Sequence, residues 1–585
     1  MRMQQYHTQI KMVKNIFFTR FFIVSTKINI SCFNNFLLKT KVLRTLVLAA
    51  LIFLFYLGTS SDTFGQGWYN SNWSCRKTIT INSTKVPSNQ TNFPVLINLT
   101  DANLTAHALS SGNDILFTSS DGTTKIPYQR ETYTSGTGAL LAWVNVPAVS
   151  STANTVIYIY YGNPSATDQQ QATSVWDANY KLVYHLGDAS SPAADATSNG
   201  NIGTASAGIT FGATGQIGKA TTYGAASRNI SAGSSLGIGS TSNFTYEVWI
   251  NVTGYTNNTN MTSANGSYWI DRTTATNNLV SLIPAGSKYG WQVRDDNGNN
   301  LGGPNAGSIT TGTWQYVVLV RDITNNQFRL YLNGTQQTTF AFSGALPLTP
   351  PTPRLGSHVS FGSPAFLNGS LDEFRISNNA RSADWITTEY NNQSSPSTFY
   401  SVSAEIVQPT ITLGTISSIC AGLTSFSIPY TATSGSPDQY SISGTGISAV
   451  INGPLGASPI TVTLSSPASA GPLSFALTVR NSGSGAVSSN VNGSVTVNPL
   501  PVASVTNQSD VSCFAGNNGT ITILATGGTG PYKYAASTDG INFNWITPVP
   551  ASTNPYQIGS GLEGGLSANQ PYRIKVKDNN GCISK

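Results

Sequence analysis

The sequence predicts an all-β chain assembled from tandem antiparallel β-sandwiches. Short β-rich runs recur along residues 67–585, separated by Gly, Asn, Asp and Pro turns. Several of these runs alternate apolar and polar residues with period two, the signature of a strand with one face in a core. Charged residues are only 9 % of the chain while aromatics reach 10 %. Such a surface is solvated by hydroxyls and amides, and the aromatic supply suits packed extracellular modules better than disorder. At 585 residues the chain exceeds what one core can organise, so several modules are expected.

The first 66 residues read as a leader. Lys39, Lys41 and Arg44 precede an uncharged apolar run from Leu46 to Leu57, short for a membrane span and suited to a secretory signal. Thr63-Phe64-Gly65 offers small residues for cleavage, which places the mature start near Gln66. The leader holds eight of the 30 Lys and Arg and one of the 24 Asp and Glu. What remains is 22 basic against 23 acidic residues, so the formal charge of +6 belongs to the leader. No basic stripe is left to suggest nucleic acid, and no later segment is apolar enough to span a membrane.

Residues 67–173 open with Trp68 and Trp73 and continue through RKTITI, PVLINL, DILF, LLAWVNV and TVIYIYY. Strands at this spacing predict a small sandwich. GNDILFTSSDGTTKIPYQRE, LAWVNVP and IYIYYGNPSA resemble a bacterial domain of unknown function that usually stands directly ahead of LamG-like modules. The resemblance implies domain order, and the residues themselves read as a β spacer that stiffens the approach to the next module.

Residues 174–405 hold the central module. In Asn243–Val252, Phe244, Tyr246, Val248, Ile250 and Val252 share one face. Trp249 falls on the other, which implies that this second face is covered too. WQYVVLV and FRLYL follow, the latter closed by Asn333-Gly334, a pair that supplies the positive φ angles of a tight hairpin. GSLDEFRI adds a further strand, and ARSADWITTEYNNQSSP predicts a helix capped by Ser382. The order HLGD, Asp195-Ala-Thr-Ser-Asn-Gly-Asn, YEVWI, GTWQYVVLV, LYLNG and GSLDEFRI resembles a LamG-like, concanavalin A-like jelly roll. That family implies a rim calcium ion, and Asp195, Asn199 and Asp372 are the positions carried over; oxygen donors suit this hard cation. Read only as residues, the same three are turn formers and a strand-end acceptor. A glycan ligand would need flat rings packed on sugar faces, and Tyr268, Trp269, Tyr289 and Trp291 are the candidates.

Residues 406–501 carry five short strands among Gly, Ser and Pro turns, an Ig-like or PKD-like profile ending in the stiff linker Pro499-Leu500-Pro501. Residues 502–585 carry CFAGNNGTITI, TGGTGPYKY and YRIKVKDNNGC. They are similar to the SprB-type repeat of surface adhesins from gliding Bacteroidetes-type bacteria. The sequence stops three residues after Cys582, ahead of an expected final strand, so further repeats are expected beyond it. Four cysteines follow the leader. Pairing Cys513 with Cys582 brackets one module, while Cys75 and Cys420, in different modules, are expected to be free and buried, with no close second Cys or His to build a metal site.

Catalytic patterns are missing. Glu247 stands alone in YEVWI, and Asp372 and Glu373 are adjacent, so alternation points them to opposite faces, whereas glycoside hydrolysis needs two convergent carboxyls. His107, His185 and His358 lie outside the serine-hydrolase and zinc-protease motifs, and His185 reads as a packed residue beside Tyr184. The sequence reading is a secreted, cell-surface binding or adhesion protein. Its central module contacts a polysaccharide or another surface ligand, and calcium is the only cofactor expected. The rival is a polysaccharide-degrading enzyme, or its carbohydrate-binding accessory, whose catalytic part lies outside this chain. A purely structural stalk is the third.

Overall fold

The computed structural model describes residues 67–585 except 192, 225–227, 234–235, 239–241, 258–269, 272–278, 295–304, 343–351, 359–365 and 560–564. The leader, Tyr268 and Trp269 lie outside the described residues. Among the described residues every sheet pairing is antiparallel except one, between Ile419–Cys420 and Val491–Asn498.

The first module stacks two sheets. One is built around β1 (Cys75–Ile81) and β2 (Thr155–Tyr161), which pair over their full length. The other joins Gln90–Thr100, Ala139–Val149 and Tyr128–Thr134. A short helix, α1 (Ala102–His107), is capped by Asp101, whose side chain accepts from the Asn103 N–H. The first sheet is completed from far along the chain. Tyr400–Val402 and Ile406–Val407 both pair with β1, so the module boundary expected at residues 405/406 runs through a strand pairing.

The central module is a jelly roll of an eight-stranded and a seven-stranded sheet. In the larger sheet β3 (Phe244–Gly254) lies between β4 (Trp314–Asp322) and β5 (Asn368–Ser377). Phe244, Tyr246, Val248, Ile250 and Val252 enter the core between the sheets, as their spacing requires. Trp249 on the opposite face is also buried, against Tyr316, Ile386 and Tyr390. Its cover is α2 (Ala383–Ser394), where Ser382 Oγ accepts from the Trp385 N–H at 3.1 Å.

This helix belongs to both modules. Asn392 bonds both backbone groups of Leu96 in the first module, and Trp385 packs on Phe93 with ring centroids 4.8 Å apart. Arg381 pairs with Asp177 at 3.0 Å and lies over the rings of Tyr180 and Trp385. The core of the first module accordingly runs on through Trp176, Tyr180, Val183, Ile217 and Trp385.

Two smaller sandwiches follow, each with its own core. They are joined by a Cys420–Cys582 disulfide that spans 162 residues, which corrects the expected Cys513–Cys582 pairing and the expected free Cys420. Ile419–Cys420 pairs with Val497 and Asn498, the last residues before the Pro499–Pro501 linker, so Cys420 sits at the seam with the next module. Cys513 is exposed and free, and Cys75 is buried and free.

Candidate functional site

A dense gathering of ionisable groups lies where the first module meets β5. Leu371, Phe374 and Ile376 enter the jelly-roll core, yet the register against β3 slips between Trp249↔Asp372 and Glu247↔Arg375. The extra residue is a β-bulge, and Glu373 takes a φ of +49°. Simple alternation predicts that Asp372 and Glu373 diverge. The bulge instead brings both carboxyls to the outer side of the sheet, toward Glu131 of the first module.

His185 Nδ1 lies 2.8 Å from Glu373 Oε1 and 3.7 Å from Glu131 Oε2, and its Nε2 lies 3.2 Å from Gln129 Oε1. Both ring nitrogens lie within hydrogen-bond distance of side-chain oxygens, an arrangement that favours the protonated imidazole. Burial alone would lower the His185 pKa, but Glu373 and Glu131 outweigh it and raise it. Burial would raise that of Glu373, and His185 with Arg375 bring it down. Arg375 spans Glu373 at 2.7 Å and Glu389 at 3.2 Å, with its guanidinium 4.3 Å from the ring centre of Trp143 and 4.9 Å from that of Trp176. Glu389 accepts from Tyr180 and Tyr316 hydroxyls. Burial first, and then Glu389, hold Glu247 well above the usual carboxylate range. Burial and then Glu373 do the same for Asp372.

Convergent carboxyls are therefore present, but Asp372, Glu373, Glu247 and Glu389 are each at most 1 % exposed. Trp143 and Trp176 of the first module lie over Arg375 between Glu373 and Glu389, so these carboxyls face protein and not solvent. Glu131, His185 and Glu373 offer ligand atoms within 4.8 Å of one another, and here His185 Nδ1 lies 2.8 Å from Glu373 Oε1 as an ion pair. The arrangement works as an ionic and aromatic joint between modules.

The expected ring platform is corrected in part. Tyr289 and Trp291 are 1 % and 0 % exposed, because alternation along Lys288–Arg294 turns positions 289, 291 and 293 inward. Trp291 packs edge-on against Tyr246, and the Tyr289 hydroxyl donates to Gln315. Among the calcium candidates, Asp195 accepts from the backbone N–H of Val183, Thr197 and Asn201 and from the Thr197 hydroxyl. Asn199 donates to Tyr180 O and Thr197 Oγ1. Asp372 accepts from the Ile217 N–H at 2.8 Å, while its second oxygen is buried with no hydrogen-bond partner.

A ring platform does exist elsewhere, in the last module. Lys533–Ser537 pairs with Arg573–Lys577, which sets Lys533 opposite Lys577 and Ser537 opposite Arg573. Tyr534 and Val576 turn into the core, so Lys533, Arg573, Lys575 and Lys577 share the outer face. Ile546 bridges to Tyr534 and packs inward, which leaves Phe543 and Trp545 on the cationic side. Their rings stack with centroids 6.3 Å apart, Lys575 Nζ 5.0 Å over Phe543 and Lys577 Nζ 5.7 Å over Trp545. Lys533 and Arg573 are exposed, and the other four are partly so. Sequence reasoning missed this strip, although RIKVK and FNW both carry the period-two signal.

Regions of the chain match three family models. Residues 224–387 match the concanavalin A-like lectin/glucanases superfamily, residues 111–199 a domain of unknown function (DUF2341), and residues 505–540 the SprB repeat. No curated protein matches the chain. Similar solved structures include domain 4 of an extracellular arabinanase from Geobacillus stearothermophilus in complex with arabinotriose. It is 19 % identical, with 36 % of this chain and 98 % of that one covered and a TM-score of 0.27. The botulinum neurotoxin serotype G binding domain is 12 % identical over 69 % and 87 %, TM-score 0.31. The carbohydrate-binding module of a Ruminococcus gnavus sialidase bound to sialyllactose is 16 % identical over 26 % and 82 %, TM-score 0.21. Among the described residues no helix is long and apolar enough to cross a membrane. In chain order, then, this polypeptide carries a DUF2341-type region, a concanavalin A-like jelly roll and a SprB repeat.

Proposed function

We propose that this chain is a secreted, surface-displayed protein that binds carbohydrate, its serial sandwiches holding the contact surfaces away from the cell. The observation that carries the reading is the strip of Phe543 and Trp545 with Lys533, Arg573, Lys575 and Lys577. Two stacked, partly exposed rings suit the apolar faces of consecutive sugars, and four cations beside them select uronates or sulfated sugars over neutral ones. The jelly roll is the second contact surface of this proposal, supported by the match of residues 224–387 to a superfamily described as lectins and glucanases. Calcium is its cofactor, with Asp195, Asn199 and Asp372 as the candidate ligands, the last holding one unpartnered oxygen.

The test is a glycan array probed with residues 67–585, with and without chelator. Binding to acidic polysaccharides that falls with salt is the expected result. Trp545→Ala should weaken it about tenfold, or ~1.4 kcal/mol. Equal binding by wild type and by a Trp545→Ala, Lys575→Ala, Lys577→Ala variant would remove the strip from the reading. Release of reducing sugar from any polysaccharide would replace binding with hydrolysis.

A further inference from the structure

A second cluster sits at the base of the first module and draws on three distant stretches of chain. Cys75 opens β1, His107 ends α1, and Glu405 lies between the two short strands that return to pair with β1. His107 Nδ1 is 2.8 Å from Glu405 Oε1 and 3.7 Å from Cys75 Sγ, and the three ligand atoms all lie within 4.8 Å of one another.

This geometry does not make a nucleophile. A Cys–His–acid relay needs the thiol and the carboxylate on opposite ring nitrogens, and here both approach Nδ1. Burial above all, with Glu405 adding to it, pushes the Cys75 thiol up to about 11, away from the reactive thiolate range.

It does match a tetrahedral cation. Zinc bonds of ~2.3 Å to sulfur and ~2.0–2.1 Å to nitrogen or oxygen place neighbouring ligand atoms roughly 3.3–3.6 Å apart. The sulfur–nitrogen edge is already near this, and the nitrogen–oxygen edge needs to open by about half an ångström. A thiolate, an imidazole and a carboxylate form a ligand set for a borderline-soft divalent ion. The carboxylate is oriented from behind, as such ligands are. Tyr161 donates its hydroxyl to Glu405 Oε1 at 2.9 Å, and Asn103 donates to Oε2 at 3.3 Å. The His107 side chain is 43 % exposed, which gives an ion a way in and leaves room for a water as fourth ligand.

We propose that Cys75, His107 and Glu405 bind one zinc-type divalent cation, which clips the returning segment Tyr400–Val407 onto the first module. Binding would release the thiol proton as the sulfur–metal bond forms, with no change of oxidation state. Metal-stripped protein of residues 67–585, titrated with cobalt(II) as the spectroscopic probe and with zinc in competition, tests this. Expected are one cobalt per chain, a thiolate-to-cobalt charge-transfer band, and its loss on adding zinc. Cys75→Ser should abolish the band and Cys513→Ser should leave it unchanged. His107→Gln alters a partly exposed residue and should weaken binding without unfolding the chain. Tyr161→Phe should weaken binding by roughly 10–100-fold. Absence of the band in the wild-type protein, or its persistence in Cys75→Ser, would overturn the proposal.

Discussion

Arg375 shows how much one side chain can carry. It is 1 % exposed, holds two glutamates and lies against two tryptophans. Removing it leaves Glu389 buried without its cation and Glu373 with His185 alone, and breaking such a pair from one side costs about 3–5 kcal/mol. Arg375→Ala should lower stability by that amount in denaturant titration. The same joint sets a pH optimum. The contribution of Glu373, whose pKa is lowered, is present above its ordinary 4.5 and lost as pH falls through its folded value. His185, raised, contributes fully below 6.5, and this is lost as pH rises through its folded value. Burial, with Glu373 adding to it against the pull of His185, raises Glu131 to about 7, so charging it opposes folding as pH climbs from 4.5 through 7. Glu247 and Asp372, also raised, act in the same direction as Glu131, so the thermal midpoint of residues 67–407 should peak at about pH 4.5 and fall as pH climbs toward 8. A flat profile would mean that the joint is not ionic.

At the scale of elements, α2 was legible because its signals are local. Ser382 three residues ahead of Trp385 is a cap, and the observed helix starts where that cap predicts. Ser382→Ala should cost about 1 kcal/mol, read as a lower thermal midpoint, because the cap also seats Trp385 on Phe93. The Asn333-Gly334 hairpin was legible for the same reason, with φ values of +50° and +74°. The bulge at Glu373 was not. Nothing in LDEFR distinguishes an extra residue from regular alternation, since the slip is defined only against β3. Tyr289 and Trp291 illustrate the converse. They stand in loops or short strands by sequence alone, which leaves the buried face undetermined, and the inner face of Lys288–Arg294 took both rings.

Across the whole molecule the modules are less serial than their order along the chain. Tyr400–Val407 returns to the sheet of the first module, α2 bonds to both neighbours, and a disulfide ties the last two sandwiches together. Peptide mapping without reductant should recover a fragment joining Cys420 to Cys582. Recovery of Cys513 joined to Cys582 would restore the pairing inferred from sequence. Single-cysteine loss at Cys420 should let protease cut the 499–501 linker and separate the two modules, whereas the wild-type pieces stay linked.

The sequence alone determined the all-β class, the order of the modules, the helix with its cap and the covered second face of β3. Each of these follows from residues a few positions apart, whose spacing is fixed by backbone geometry. Only the tertiary structure decided which cysteines pair, that His185 meets Glu131 and Glu373, and that Cys75, His107 and Glu405 converge. These contacts join residues separated by 32 to 330 positions, and local spacing carries no information about which distant strands a sheet will place side by side.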